Sequence, residues 1–108
     1  MNNYEVIKKN VRAIVEENGL ELDSLFLFGS RARKEHEELS DYDIFVVIKE
    51  DIESLMKRQL QKKIYHILHS TFPLLSFDII VKTKREFDIE KRIVNTLSNE
   101  VVLEGIEI

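Results

Sequence analysis

The chain has no cysteine, and that single absence removes disulfides, thiolate zinc sites and thiol nucleophiles together. No apolar run approaches the ~20 residues needed to cross a bilayer. The opening MNNYEVIKKN has no apolar stretch of the kind a secretory signal requires. A cytoplasmic protein with no membrane contact is therefore expected. Positive charge is scattered rather than gathered: the formal net charge is −4, and no basic face is in prospect, so direct nucleic-acid binding is not expected. Glycine and proline are sparse, with no low-complexity stretch, repeat or linker. What remains is 108 residues, 44% hydrophobic and 33% charged, which suit one globular domain over 1–108 with a modest core.

Periodicity orders the elements. Val6, Ile7, Val11, Ile14 and Val15 recur at helical spacing over Asn3 to Asn18, and Gly19 stands where a helix-ending glycine belongs. Leu22 to Phe28 reads as a strand whose near-continuous apolar end, Leu25 to Phe28, suggests burial on both faces. Gly29 and Ser30 end it, and Ser30 can cap a short helical turn in RARKEHEE. A second strand runs from about Tyr42 to Ile48. A long helix is predicted over Asp51 to Ser70, with Leu55, Leu60, Ile64, Ile67 and Leu68 toward the core. Pro73 breaks it, and Leu74 to Lys82 gives a third strand. Thr83-Lys84-Arg85-Glu86 has the capping-box pattern, and Ile93, Val94, Leu97 and Val101 continue a helical stripe as far as Gly105. Ile106 to Ile108 can add a last short strand. The fold class is α/β (α+β), a small mixed sheet packed by helices.

Three features carry chemistry: Gly29-Ser30 after a strand, Asp41 and Asp43 at the start of the next, and Asp78 inside the third. Each alone has a bland reading as turn chemistry or edge charge. Asp78 resists it, because a carboxylate in FDIIV is costly to bury unpaired. Asp41 and Asp43 are two apart and share one face of a strand, with Tyr42 opposite. If strands one and two are antiparallel neighbours, Gly29 lies beside the aspartate pair. If the long helix returns the chain to a parallel third strand, Asp78 reaches the same patch. Converging carboxylates suit a divalent cation, and a turn glycine before a helix N-terminus suits phosphate. Ser30 offers a hydroxyl, and Arg31 and Arg33 stand close enough in sequence for one of them to contact a phosphate.

GSRARKEHEELSDYDIFVV resembles the signature of the DNA polymerase β-like nucleotidyltransferase superfamily: Gly-Ser, ten residues, then Asp-x-Asp. Asp78 in SFDIIV matches the family's third carboxylate, and the tail VVLEGIEI is similar to the ending of small stand-alone members. The resemblance implies the polymerase β-like fold and a site with two magnesium ions. In it Asp41 and Asp43 hold both ions, Asp78 holds the catalytic one as ligand or general base, and Gly29 and Ser30 grip the triphosphate of ATP. Minimal nucleotidyltransferases of this kind are commonly antitoxins of a HEPN-domain toxin, to which they attach AMP. The resemblance thus implies a HEPN toxin partner, with homo- or hetero-oligomers both open. The alternative is a binding module that neutralises its partner by occlusion; a third reading, transfer to a small molecule, needs extra structure around the acceptor. The loop KEHEELS departs from the family pattern, since Glu35, Glu37 and Glu38 stand where many members carry glycine or basic residues. His66 and His69, spaced i, i+3, read as helix-surface residues rather than a metal pair, and His36 has the same standing. Tyr42 is expected behind the sheet, Tyr65 at the core edge, and Lys62 and Lys82 as solvated cations.

Overall fold

The computed structural model describes residues 2–29 and 41–108. Along the described chain run α1 (Asn3–Glu17), β1 (Leu22–Phe28), β2 (Tyr42–Ile48), α2 (Ser54–Thr71), β3 (Phe77–Thr83), α3 (Lys84–Glu90), α4 (Leu97–Glu104) and β4 (Ile106–Glu107). The helical turn expected after Ser30 lies outside the described residues. The four strands form one mixed sheet in the order β3-β2-β1-β4. β1 is antiparallel to β2 and to β4, and β2 is parallel to β3, as the short and long connections require.

β2 lies inside the sheet and is buried on both faces. Tyr42, Ile44, Val46 and Ile48 face the larger core, built with Ile7, Val11 and Val15 of α1 and Leu60, Ile64 and Leu68 of α2. Phe45 and Val47 face a smaller core with Phe87 of α3 and Val101 of α4, flanked by Phe26, Phe28, Ile80 and Leu97. β1 is covered less fully than its apolar run suggested: Leu25 and Leu27 are buried, whereas Phe26 and Phe28 remain half-buried under the small helical lid. Tyr42 does pack behind the sheet. Its hydroxyl accepts from Asn3 Nδ2 at 3.4 Å, its ring meets Tyr4 edge-on, and it stacks on Phe77.

Several expectations need correction. Leu55 is 58% exposed and Ile67 is 36% exposed, so the inner stripe of α2 is Leu60, Ile64 and Leu68 alone. At 3.6 residues per turn, Leu55 projects roughly 180° from the middle of that ridge, and Ile67 sits on its flank. α2 also begins at Ser54, three residues later than expected. β3 begins at Phe77 rather than Leu74, because Pro73 and Leu74 occupy a turn closed by Leu75 N–H donating to Phe72 O at 3.1 Å. The stripe from Ile93 to Val101 is not one helix. Asn95 adopts φ +73°, and Thr96 caps a new helix by accepting from Asn99 N–H at 3.1 Å, which leaves Ile93 and Val94 exposed. Lys82 is paired with Glu90 at 3.2 Å rather than simply solvated.

The capping box forms as its spacing predicts: Thr83 Oγ1 accepts from Glu86 N–H at 3.2 Å, and Glu86 Oε1 accepts from Thr83 N–H at 3.0 Å. Lys57 Nζ of α2 reaches the same carboxylate at 2.9 Å, so the cap also ties α2 to α3. Burial, the largest single influence, pushes the Glu86 carboxyl up, but the Thr83 backbone and Lys57 outweigh it and hold it below its ordinary value of 4.5. A depressed folded pKa means stability present above about pH 4.5 and lost as pH falls through the lower folded value. Glu86→Gln should therefore melt below the wild type at pH 7, with the gap closing as pH falls below 4.5 and through the lower folded value. Thr83→Ala should cost ~1 kcal/mol throughout. A Glu86→Gln gap that persists undiminished at pH 3 would count against the ionised cap.

Candidate active site

The chemistry-bearing residues collect at one end of the sheet because three strands share a register there. Phe28, the last residue of β1, is the Cα partner of Asp43 in β2. Asp43 is in turn the Cα partner of Asp78 in β3. Neighbouring strands lie ~4.8 Å apart, so Asp43 and Asp78 stand side by side, with Gly29 one residue beyond the Phe28 pair. Tyr42 N–H donates to Ser76 O at 2.9 Å, which continues the β2–β3 ladder to the residue before Tyr42's own partner. By strand alternation Asp41 and Asp43 lie on the face of Phe45 and Val47, and Asp78 on that of Ile80. The row therefore occupies the face of the smaller core, past the end of its helical cover.

Gly29 is required there twice over. Its φ of +69° is a left-handed conformation that side chains resist, and a Cβ built on it would run into the Asp43 carboxylate, with Asp43 Cγ at 3.2 Å. Gly19 offers a control, since its φ is +74° but a Cβ there meets nothing within 4 Å. Gly19→Ala should lose only the conformational cost, ~1 kcal/mol. Gly29→Ala should lose more, ~2–3 kcal/mol, because Asp43 must also move. Equal costs in denaturant titrations would show that the Asp43 contact carries no energy.

Asp41 and Asp78 are exposed, and Asp43 is half-buried. Among the described residues no three His, Asp or Glu side chains converge tightly enough to hold a metal ion; the backbone register brings Asp43 beside Asp78, and Asp41 stands just ahead of β2. Adjacent carboxylates repel one another and form a hard oxygen donor set, which fits a divalent cation of the magnesium class. Ser30, Arg31 and Arg33, the remaining phosphate-binding candidates, lie outside the described residues, as do His36 and the acidic loop.

Sequence reasoning missed the ground beside Asp78. A groove of about 330 Å³ runs between α2 and β3, and its walls include Lys62, Tyr65 and His66. Tyr65 is not a core-edge residue; it is 42% exposed and stacks on His69 with centroids 5.7 Å apart. The signal available was the i, i+4, i+7 spacing of Arg58, Lys62 and Tyr65, which puts them on one face of α2. No helix among the described residues is long and apolar enough to cross a membrane.

The chain is similar to known proteins over most of its length. The family model described as "Polymerase beta, Nucleotidyltransferase" matches residues 9–105. No curated protein gives a significant match. Among solved structures, a chain of a toxin–antitoxin complex with AMP-PNP aligns at 21% identity and TM-score 0.57, over 93% of this chain and 70% of that one. A chain from a complex of a tri-AMPylated Shewanella oneidensis HEPN toxin with MNT antitoxin aligns at 18% identity and TM-score 0.52, over 95% and 69%. Another Shewanella oneidensis structure aligns at 19% identity and TM-score 0.54, over 98% and 71%. At these identities the likeness is one of fold.

Proposed function

Because the chain belongs to the polymerase β nucleotidyltransferase family, we propose that it transfers AMP from magnesium-bound ATP to a hydroxyl of a partner protein, and that this partner is a HEPN-domain toxin which the transfer silences. The reading treats residues 1–108 as one nucleotidyltransferase domain working in the cytoplasm. The observation that carries it is the row Gly29, Asp43 and Asp78 across three paired strands. Support comes also from the structural neighbours, one a toxin–antitoxin complex with an ATP analogue and one a complex containing a toxin modified with three AMP units.

In this reading Asp41, Asp43 and Asp78 hold magnesium, which when bound neutralises the triphosphate and favours in-line displacement. Gly29 admits the triphosphate close to the backbone, and Ser30, Arg31 and Arg33 supply donors to its oxygens. Asp78 lies at the acceptor side, where its carboxylate receives the hydroxyl proton as that oxygen attacks the α-phosphorus. The neighbour that contains a tri-AMPylated toxin also supports more than one transfer to the partner. A hetero-oligomer is favoured by exposed apolar side chains on α4 and β4, where Val102, Leu103 and Ile106 lie open. The same surface supports the second reading, in which binding alone occludes the partner.

The test is label transfer in a lysate of the source cells, with magnesium and ATP labelled at the α or the γ phosphate. A protein that takes α-label and not γ-label is the expected result. Partner capture without any α-label would overturn the transfer reading in favour of occlusion.

A further inference from the structure

β3 closes one side of the sheet, so among the described residues its outer edge has no neighbouring strand. A strand in a parallel ladder turns the N–H and C=O of alternate residues to each side. Tyr42 N–H donates to Ser76 O at 2.9 Å, which sets the alternation: Asp78, Ile80 and Lys82 address β2, and Phe77, Ile79 and Val81 turn their backbone groups outward. Thr83 continues the outward row, and there the capping box takes its N–H at 3.0 Å. The usual guards of such an edge are missing. β3 contains no proline, and its one lysine, Lys82, is drawn to Glu90 on the face away from α2.

The ground above that edge is positively charged. α2 carries Lys57, Arg58, Lys62 and Lys63 and no carboxylate, in a chain whose net charge is −4. Lys57 is bound to Glu86, and Lys63 to the side-chain oxygen of Asn18. Arg58 and Lys62 have no such partner among the described residues. With Tyr65 they wall the groove of about 330 Å³, which has Phe77 and Ile79 of β3 opposite. The Asp78 carboxylate points to the other face of β3, so the groove is no part of the row of Gly29, Asp43 and Asp78.

Two spacings agree here. As the crossover between parallel strands, α2 runs back along β3, and Arg58 and Lys62 are ~6 Å apart along its axis. Same-face side chains of an extended chain recur every ~6.6–6.8 Å. A strand laid against β3 therefore brings its side chains at i and i+2 to Arg58 and Lys62 in turn. The side chain at i+4 meets the ring of Tyr65, which is stacked within 6° of parallel on His69. A second copy of this chain is a poor occupant, because antiparallel pairing of β3 with β3 sets both pairs of cations on one face across a shared groove.

We infer that the outer edge of β3 takes up an extended segment of a partner protein as an added strand, with carboxylates at i and i+2 on Arg58 and Lys62 and an apolar side chain at i+4 against Tyr65. Main-chain hydrogen bonds to Phe77, Ile79 and Val81 hold the segment, and the two cations select it. Docking here is independent of nucleotide transfer: an occluding module uses it as well as an enzyme does.

The experiment is fluorescence anisotropy with the full chain and a labelled peptide. The peptide has leucine, glutamate, glutamate and leucine at alternate positions and threonine between them, so it reads the same in both directions. Saturable binding is expected, weakened about tenfold or more by Arg58→Ala/Lys62→Ala. Arg58→Glu/Lys62→Glu loses this peptide and binds its counterpart with lysine in place of glutamate. N-methylation of the threonine amides, or of all the others, abolishes binding in one case and spares it in the other, because only alternate amides face β3. Arg58 and Lys62 are both exposed, so melting temperatures close to wild type separate lost contact from lost fold. Absence of saturable binding to the wild type overturns the inference, as does a charge-reversed variant that keeps the glutamate peptide, or an equal response to both methylated peptides. Displacement by polyuridylate at a lower concentration than by unlabelled peptide assigns the groove to nucleic acid instead. A dimer in sedimentation that excludes the peptide assigns the edge to a second copy.

Discussion

Asp43→Asn is expected to lower nucleotidyl transfer about a thousandfold, ~4 kcal/mol of transition-state stabilisation, while the domain folds as before. The substitution keeps the size and shape of the side chain beside Gly29 and removes its charge. In the proposed site, loss of that charge would deprive the cation of a ligand at the centre of the row, since Asp43 adjoins both the end of β1 and Asp78. The near-isosteric exchange should lower the rate far more than it changes the melting temperature, a split that a merely structural aspartate would not give. The measurement is initial rate of α-label transfer beside a melting curve, with partner binding followed in parallel. Full neutralisation of the partner by the Asn variant would mean that occlusion suffices and that the carboxylates are remnants.

The largest stability effect belongs to Phe45→Ala. Phe45 is fully buried and is the centre of the smaller core, in ring contact with Phe26, Phe28 and Phe87 at 5.6–6.4 Å between centroids. That core has few other members, Val47, Phe87 and Val101 among the buried ones, so little can collapse into the space. A cost of ~3–5 kcal/mol is expected. Against a total of ~5–15 kcal/mol for a domain of ordinary stability, this lowers Tm by roughly 15 °C or more. Leu55→Ala, at a side chain 58% exposed, should change stability by less than ~0.5 kcal/mol. If the two variants melt alike, the small core is not holding α3 and α4 onto the sheet. Transfer should fall with Phe45→Ala even below its melting point, because Asp43 and Phe45 share one face of β2.

The two strands that frame the site were legible, because β-branched and aromatic runs bounded by Gly29 and Asp41 leave few alternatives. The register was readable too: a short connection forces an antiparallel pair and a long helix permits a parallel one, and those two facts bring Asp78 beside Asp43. The polymerase β-like resemblance pointed to the same grouping. Legibility failed where side chains compete for the backbone. Apolar spacing through Ile93 and Val94 promised one helix, but Thr96 offered its hydroxyl to a new N-terminus and Asn95 accepted a left-handed turn. It failed again on α2, where counting apolar residues admitted Leu55 although its direction lies across the helix from Leu60 and Ile64. The groove beside Asp78 was invisible because Arg58, Lys62 and Tyr65 look like solvent-facing residues until the edge of β3 is set against them.

The parallel pairing of β2 with β3 has a consequence in time. Asp78 is made 35 residues after Asp43, which at ~5–20 residues per second is a delay of ~2–7 s. Until α2 has been synthesised and has swung the chain back, a nascent polypeptide carries Asp41 and Asp43 beside Gly29 with no third carboxylate opposite. On the transfer reading, the site is complete only once β3 has folded back beside β2.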